Sequence, residues 1–262
     1  MEPLKKGSFG GLLYREFYLV RKNLITYVIS FAAIAFVCWL TVLSFYYGNL
    51  GKLITSVLAD GNGGLSPEAG ETFENMRRSL FFSIKLYPAA MTGTFAIIGP
   101  DIAAKDTRTI WQRFERCTPV TPLRFAAVKT SVNALAAGFT LAFGTGYMFL
   151  IGLVSGEYLT CVEMSLYMLF VTLFVMFGII SQIFILLIGD RDKGMLATMG
   201  VIMVSVWIFS NYARELGDSG ADGLASLSEV SQMLMPFMPL IYICAFGVLF
   251  AAMYLIYKRR EK

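Results

Sequence analysis

Six apolar stretches of membrane length divide this chain, and basic residues collect in every second polar segment between them. The stretches cover residues 24–47, 83–104, 125–154, 164–188, 195–211 and 237–257. Each meets or approaches the roughly 20 apolar residues that an α-helix needs to cross about 30 Å of hydrocarbon, and the fifth is the shortest. The sequence therefore predicts an all-α membrane protein with six transmembrane helices in one transmembrane domain, 1–262.

The basic residues predict how these helices are oriented. Of the 22 Lys and Arg residues, 17 lie in the N-terminal segment, the second and fourth loops, the C-terminal tail and the start of the third span (Lys129), and the other five are Lys52, Arg77, Arg78, Lys85 and Arg214. Because Lys and Arg concentrate in cytoplasmic loops, we expect both termini inside and the chain in the plasma (inner) membrane. This topology also accounts for the net charge of +4, so no nucleic-acid partner is expected.

Several kinds of chemistry are missing from the sequence. There is no His, which removes the usual general base and a common metal ligand. No G-x-x-x-x-G-K-[ST] motif is present, and the glycine cluster at Gly61–Gly64 has no Lys after it. The four Cys are dispersed and predict free thiols. We therefore expect neither an enzyme nor a metal site on this chain.

Ionisable residues are scarce within the predicted spans, which argues against transport driven by protons or sodium. Lys85 lies near the outer end of the second span, and Asp101 lies near its inner end. We expect both to be interfacial anchors, with Lys85 snorkelling to the membrane surface and Asp101 within reach of Lys105 or Arg108. The alternative is a role in substrate or gate contacts.

The segment 1–23 has an amphipathic pattern. Apolar residues recur at steps of three and four, whereas Arg15, Glu16, Arg21 and Lys22 fall elsewhere; the apolar positions are Phe9, Leu12, Leu13, Phe17, Val20 and Leu24. The pattern predicts a helix lying at the cytoplasmic interface. It could be a simple anchor or a lever that joins the first span to a cytoplasmic partner.

The loop 105–124 is more structured than a passive turn requires. Thr109 and Gln112 fit a capping box, so a short helix should follow and end before Pro119. Thr121 and Pro122 then suit the N-cap and the first residue of the third span. The face with Ile110, Trp111, Phe114 and Cys117 is apolar, and it could lie among lipid headgroups or dock into a partner; we favour docking.

Several residues in and after this loop resemble a known pattern. Asp106 opens the loop, Trp111 follows five positions later, the run Pro119, Val120, Thr121 forms a turn, and Lys129 lies early in the third span. With the topology, these residues make the whole chain resemble the permease subunits of ATP-binding-cassette type-2 exporters, similar to bacterial exporters of peptide toxins and antimicrobial peptides. Pro122 departs from the pattern, because the family usually has Arg there and Arg124 is the nearest basic residue.

The resemblance implies a division of labour. A separate ATPase subunit would bind ATP and Mg, this chain would carry no cofactor, and a second copy or a paralogous permease would complete the path. The loop helix would be a coupling helix that contacts the ATPase, with contact residues Asp106, Thr109, Ile110, Trp111, Phe114, Glu115, Arg116 and Pro119. The implied path residues are Tyr87, Thr92, Phe95, Met203 and Trp207.

These observations predict the transmembrane subunit of an ATP-driven exporter for amphipathic or lipophilic cargo, with peptides ranked first. Two alternatives stay open: a non-transporting membrane anchor or sensor that recruits a cytoplasmic protein, and a multidrug or lipid exporter of the same family. The expected organisation is an interfacial helix, two spans with an outer loop, a coupling loop, four further spans and a cytoplasmic tail, at 1–23, 24–104, 105–124, 125–257 and 258–262.

Overall fold

The regular elements of the computed structural model are helices throughout its described residues, which are 9–48, 67–108, 120–156, 159–216 and 223–260 with Lys52, Ile54 and Ser56. A 3-10 segment, Thr92–Ile97, joins α2 to α3, and a shorter one, Met235–Phe237, joins α7 to α8. The α-helices are α1 Phe9–Tyr46, α2 Pro67–Met91, α3 Ile98–Arg108, α4 Pro122–Ser155, α5 Cys161–Ile188, α6 Arg191–Leu216, α7 Gly223–Leu234 and α8 Met238–Arg260.

Within these ranges, five helical runs are long and apolar enough to cross a membrane. They are α1, the run Gly70–Asp106, α4, α5 and the run Glu229–Arg259. The predicted fifth span, 195–211, lies inside α6, a helix of 26 residues. The all-helical architecture of a membrane-embedded protein is therefore confirmed in this coarser form, and the orientation of the chain stays a prediction.

The N-terminal segment and the first span form one helix. From Phe9 to Tyr46 the structure shows 38 residues of uninterrupted α-helix, so a separate interfacial helix ending at residue 23 is not confirmed. Leu13, Phe17 and Val20 instead pack on the protein, in a cluster with Ile98 of α3 and Val132 of α4. Part of the predicted apolar face is therefore covered by other helices, whereas Phe9 is exposed.

The second predicted span changes its helical type halfway. Pro88 lies inside α2 and has no N–H to donate to the carbonyl of Ile84, four residues earlier. The hydroxyl of Tyr147 on α4 donates to that carbonyl at 2.9 Å. Four residues after Pro88 the chain enters the 3-10 segment Thr92–Ile97, where Thr140 Oγ1 donates to the carbonyl of Thr92 at 3.1 Å. Side chains of α4 thus satisfy backbone acceptors along this irregular span.

Helix α5 lies at the centre of the bundle. It contacts α2, α3, α4, α6, α7 and α8, whereas α1 packs mainly on α4 and α3. Tyr167 and Val171 of α5 are fully buried, in one core with Phe81, Met148 and Leu249. Both ends of α5 follow their sequence: Thr160 caps the start, and Gly189 adopts the left-handed conformation at the end. Helix α5 is therefore the central packing element of the described bundle.

Candidate functional site

The candidate site is a ring of four charged side chains at the end of the bundle where α3 ends and α4 begins. We call this the inner end, since the sequence predicts it to be cytoplasmic. Lys129 Nζ pairs with Asp106 Oδ2 and lies 3.4 Å from Glu16 Oε2. Arg15 closes the ring, with Nη1 3.4 Å from Glu16 Oε1 and Nη2 3.7 Å from Asp106 Oδ1. Arg15, Glu16, Asp106 and Lys129 are the four-charge ring.

The ring is buried and electrically balanced. The side chains of Lys129, Glu16 and Asp106 are 0%, 1% and 2% exposed, and that of Arg15 is 19% exposed. Two positive and two negative groups alternate around it, so every charge has opposite charges for neighbours. Removing one member would leave a buried charge uncompensated, which costs about 3–5 kcal/mol. The ring therefore holds α1, α3 and α4 together at the base of the loop.

Sequence reasoning identified Asp106 and Lys129 but missed Glu16, which it placed off the apolar face. That placement is wrong: Glu16 lies four residues from both Leu12 and Val20, so it shares their face and is buried. A carboxylate within an apolar stripe requires a buried partner of opposite charge. This signal was available in the sequence, although it did not reveal which cation would supply the partner.

A second polar cluster at the inner end is centred on Asp101 of α3; we call it the Asp101 bridge. Asn23 Nδ2 and Tyr27 OH of α1 donate to its Oδ2 at 2.7 and 3.3 Å, and Arg191 Nη2 of α6 donates to Oδ1 at 3.0 Å. The expected partner Lys105 instead donates to the backbone carbonyl of Leu19. The prediction of an interfacial anchor is wrong for Asp101, because its carboxylate is buried between three helices.

Between the ring and the bundle centre lies a layer of side-chain amides. Asn133 Nδ2 donates to Gln182 Oε1 at 2.9 Å and to the carbonyl of Lys129 at 2.8 Å. Gly99 of α3 lies directly against both amides, and a Cβ atom there would overlap them. Asn133 and Gln182 are polar residues in apolar spans, and sequence reasoning did not single them out. Their contact joins α4 to α5 next to the ring.

At the opposite, outer end the described residues include a buried ion pair between α2 and α5. Lys85 Nζ of α2 lies 3.1 Å from Glu163 Oε1 of α5, and the two side chains are 3% and 8% exposed. Glu163 Oε2 also accepts from the backbone N–H of Thr160, which completes a capping box at the start of α5. The predicted snorkelling of Lys85 is therefore wrong, since its ammonium is held inside the protein.

Most of the predicted coupling residues lie outside the residues that the structure describes. Asp106 alone among them is described, and it belongs to the four-charge ring. The coupling helix stays a prediction for the remaining seven, Thr109, Ile110, Trp111, Phe114, Glu115, Arg116 and Pro119. The start of α4 does follow its sequence: Thr121 is the N-cap and Pro122 opens the helix, although the Thr121 side chain makes no capping hydrogen bond.

The five predicted path residues fall into two groups. Thr92 and Phe95 are buried within the chain, where Thr92 Oγ1 lies 3.3 Å from Tyr167 OH. Tyr87, Met203 and Trp207 are exposed, at 73%, 73% and 66%. The structure therefore does not bring the five together on one surface of a single subunit.

Comparisons of this chain with family models, with curated proteins and with solved structures find no match.

Proposed function

We propose that this chain is the transmembrane permease subunit of an ATP-driven exporter, powered by a separate ATPase subunit that docks on the predicted coupling loop, 105–124. The four-charge ring is the observation that carries the proposal. The helices on either side of that loop, α3 with Asp106 and α4 with Lys129, are joined to each other and to α1 by buried ion pairs. Burying these charges costs free energy of desolvation, and a loop that only connects two membrane helices does not require buried charges at its ends.

The ring makes the base of the loop a rigid unit. A displacement of the loop would act on α3, α4 and α1 together, because moving any one of them alone would separate buried charges. ATP-dependent binding can drive transport only if the ATPase binds the inward-open and outward-open states with different affinity. Joint movement of three helices is a means by which docking at one surface would favour one of those states.

The exposed surface of α6 supports an amphipathic or lipophilic cargo. Met199, Met203 and Trp207 are more than half exposed along this helix. Methionine and aromatic side chains pack adaptably on varied apolar groups and provide no fixed charge for selecting an ion. Since Tyr87 of α2 is exposed on a different helix, a path including all three of Tyr87, Met203 and Trp207 would be completed by a second permease subunit.

The test is to purify the tagged full-length chain from its native membrane and identify the bound proteins by mass spectrometry. An ATPase with a Walker motif is expected, with ATP hydrolysis that responds to the permease. A chain that purifies alone, in stable form and without any response to nucleotide, would favour the anchor or sensor.

Docking is tested by replacing Trp111 and Phe114 together with Ala. Loss of two desolvated aromatic anchors typically costs about 2 kcal/mol or more for each, so the variant should lose the ATPase and uncouple its hydrolysis from export. The matched control replaces Phe36 and Phe149, which are 56% and 55% exposed on α1 and α4, far from the loop in sequence. If the Trp111/Phe114 variant retains the ATPase and exports at the normal rate, the loop is not the docking site.

A further inference from the structure

An apolar groove runs along the inner half of α1, between that helix and α4, with α3 and the 3-10 segment at its floor. Its volume is about 410 Å³, within the range of about 300–1,000 Å³ typical of ligand sites. Every side chain that lines it is apolar, and the lining includes Phe17, Leu24, Val28, Phe95, Ala136 and Phe139. The groove is distinct from the four-charge ring and from the Asp101 bridge.

The length of the groove fits one lipid chain in one leaflet. Its α1 wall extends from Phe17 to Ile29, which is about 18 Å along a helix that rises about 1.5 Å per residue. One leaflet of a bilayer contributes half of a hydrocarbon core of about 30 Å. An acyl chain that starts at the membrane surface near Phe17 would therefore follow the groove over its whole length.

A cation lies beside the inner mouth of the groove. Arg21 is not among the side chains that line the groove, but, contrary to the sequence prediction, it lies on the same face of α1 as the lining residues Phe17, Leu24 and Ile25, at spacings of three and four residues. Its guanidinium carbon is 3.9 Å from the ring centroid of Tyr18, one turn toward the inner end. Within the part of the chain that the structure describes, no carboxylate pairs with Arg21, and its side chain is exposed. Its planar group of five donors suits a phosphate.

The neighbouring aromatic rings place this mouth at the depth of lipid headgroups. Tyr14 and Tyr18 are 71% and 49% exposed, and their ring centroids are 6.2 Å apart. Exposed tyrosines of membrane helices concentrate at the membrane–water interface. The predicted orientation puts this end in the cytoplasmic leaflet, where anionic lipids attract basic residues.

We propose that the groove binds one anionic phospholipid, with an acyl chain along Leu24, Val28 and Phe139 and the lipid phosphate at Arg21. Two features select this occupant: the apolar lining accepts a hydrocarbon chain, and the exposed guanidinium of Arg21, stacked on Tyr18 beside the mouth, complements a negative headgroup. This inference does not rest on the proposed function, because it requires neither an ATPase nor any transported cargo.

The test is native mass spectrometry of the full-length chain in a nonionic detergent, titrated with phosphatidylglycerol or with phosphatidylcholine of the same acyl chains. Arg21→Gln should weaken phosphatidylglycerol binding roughly tenfold, the usual scale for one charge-assisted hydrogen bond. Lys22→Gln is the matched control, since this exposed neighbour lies on another face of α1. Glycerol phosphate should not displace the lipid, which separates a lipid site from a site for free phosphate.

Binding of the acyl chain is tested by substitutions that fill the groove. Val28→Trp or Ile29→Trp should abolish lipid binding, whereas Val37→Trp should not, because Val37 is exposed on α1 outside the groove. Helical circular dichroism and gel-filtration volume confirm that each variant is folded. Equal binding of the two lipids by the parent chain, or unchanged phosphatidylglycerol binding by both groove variants, would overturn the proposal. So would a groove variant that abolishes a dimer of the chain without changing lipid binding, since the occupant would then be a second copy.

Discussion

The two ends of the bundle hold their helices in different ways. At the inner end, the four-charge ring and the Asp101 bridge join α1, α3, α4 and α6 through buried charges. At the outer end, Lys85 and Glu163 join α2 to α5. Among the residues that the structure describes, separating the inner ends of the helices would therefore expose more charges than separating the outer ends. The charges described at the inner end consequently favour joint movement of α1, α3 and α4.

The largest expected effect tests the inner end. Lys129→Met should lower the free energy of unfolding by about 3–5 kcal/mol, because it removes the buried ammonium between Asp106 and Glu16 and leaves these two buried carboxylates with only the partly exposed Arg15 as a shared cation. Denaturant titration in detergent measures the change. Lys193→Met, at an exposed lysine near the start of α6, is the control and should change stability little. If the two variants lose the same free energy of unfolding, burial in the ring adds nothing to the effect of removing a lysine.

A smaller effect is expected at the outer end. Lys85→Met should cost about 3 kcal/mol, because Glu163 stays buried but keeps its bond from the Thr160 N–H. Adding Glu163→Gln should restore most of the loss, since a neutral pair needs no compensation. A double-mutant cycle of the two sites measures their coupling. If the double variant is as unstable as the sum of the two single variants, the two side chains are not coupled.

The amide layer next to the ring provides a packing test. Gly99→Ala should cost about 1–3 kcal/mol, because its Cβ would displace the buried amides of Asn133 and Gln182. Gly138→Ala on α4 is the control: a Cβ there meets no neighbouring atom, and alanine favours a helix over glycine by up to about 1 kcal/mol. Thermal unfolding of the two variants should therefore shift in opposite directions. If both variants lose stability, the loss in Gly99→Ala comes from the helix backbone and not from overlap with the two amides.

The smallest effect concerns the Asp101 bridge. Arg191→Gln should cost less than about 1 kcal/mol, because the Arg191 side chain is 43% exposed and solvent screens its charge. Asp101 would retain the bonds from Asn23 and Tyr27. Raising the salt concentration should reduce the difference between Arg191→Gln and the parent chain. A loss of stability as large as that of Lys129→Met would show that Arg191 contributes as much to the free energy of unfolding as Lys129 does.

The sequence predicted where most helices lie, but it predicted less well where one helix continues into the next or changes its type. The predicted start at Pro122 agrees with α4, and residues 195–211 are helical within α6, because hydropathy, N-caps and prolines act within a few residues. The fifth span itself is not confirmed, since α6 is not among the described helical runs that are long and apolar enough to cross a membrane. The continuity of α1 was not predicted, since nothing local separates an amphipathic helix on lipid from one packed on α3 and α4. The change of helical type at Thr92 was also missed, although Pro88 was a local sign of it.

The sequence by itself determined that this is an all-helical chain with membrane-length apolar segments, because helix formation and burial in lipid depend on the composition and periodicity of each segment. Only the tertiary structure decided which charges meet. Glu16 and Lys129 are 113 residues apart, and Lys85 and Glu163 are 78 apart. No local pattern relates such positions. The partners were selected by packing, because a charge inside the bundle is tolerated only where another helix supplies its opposite.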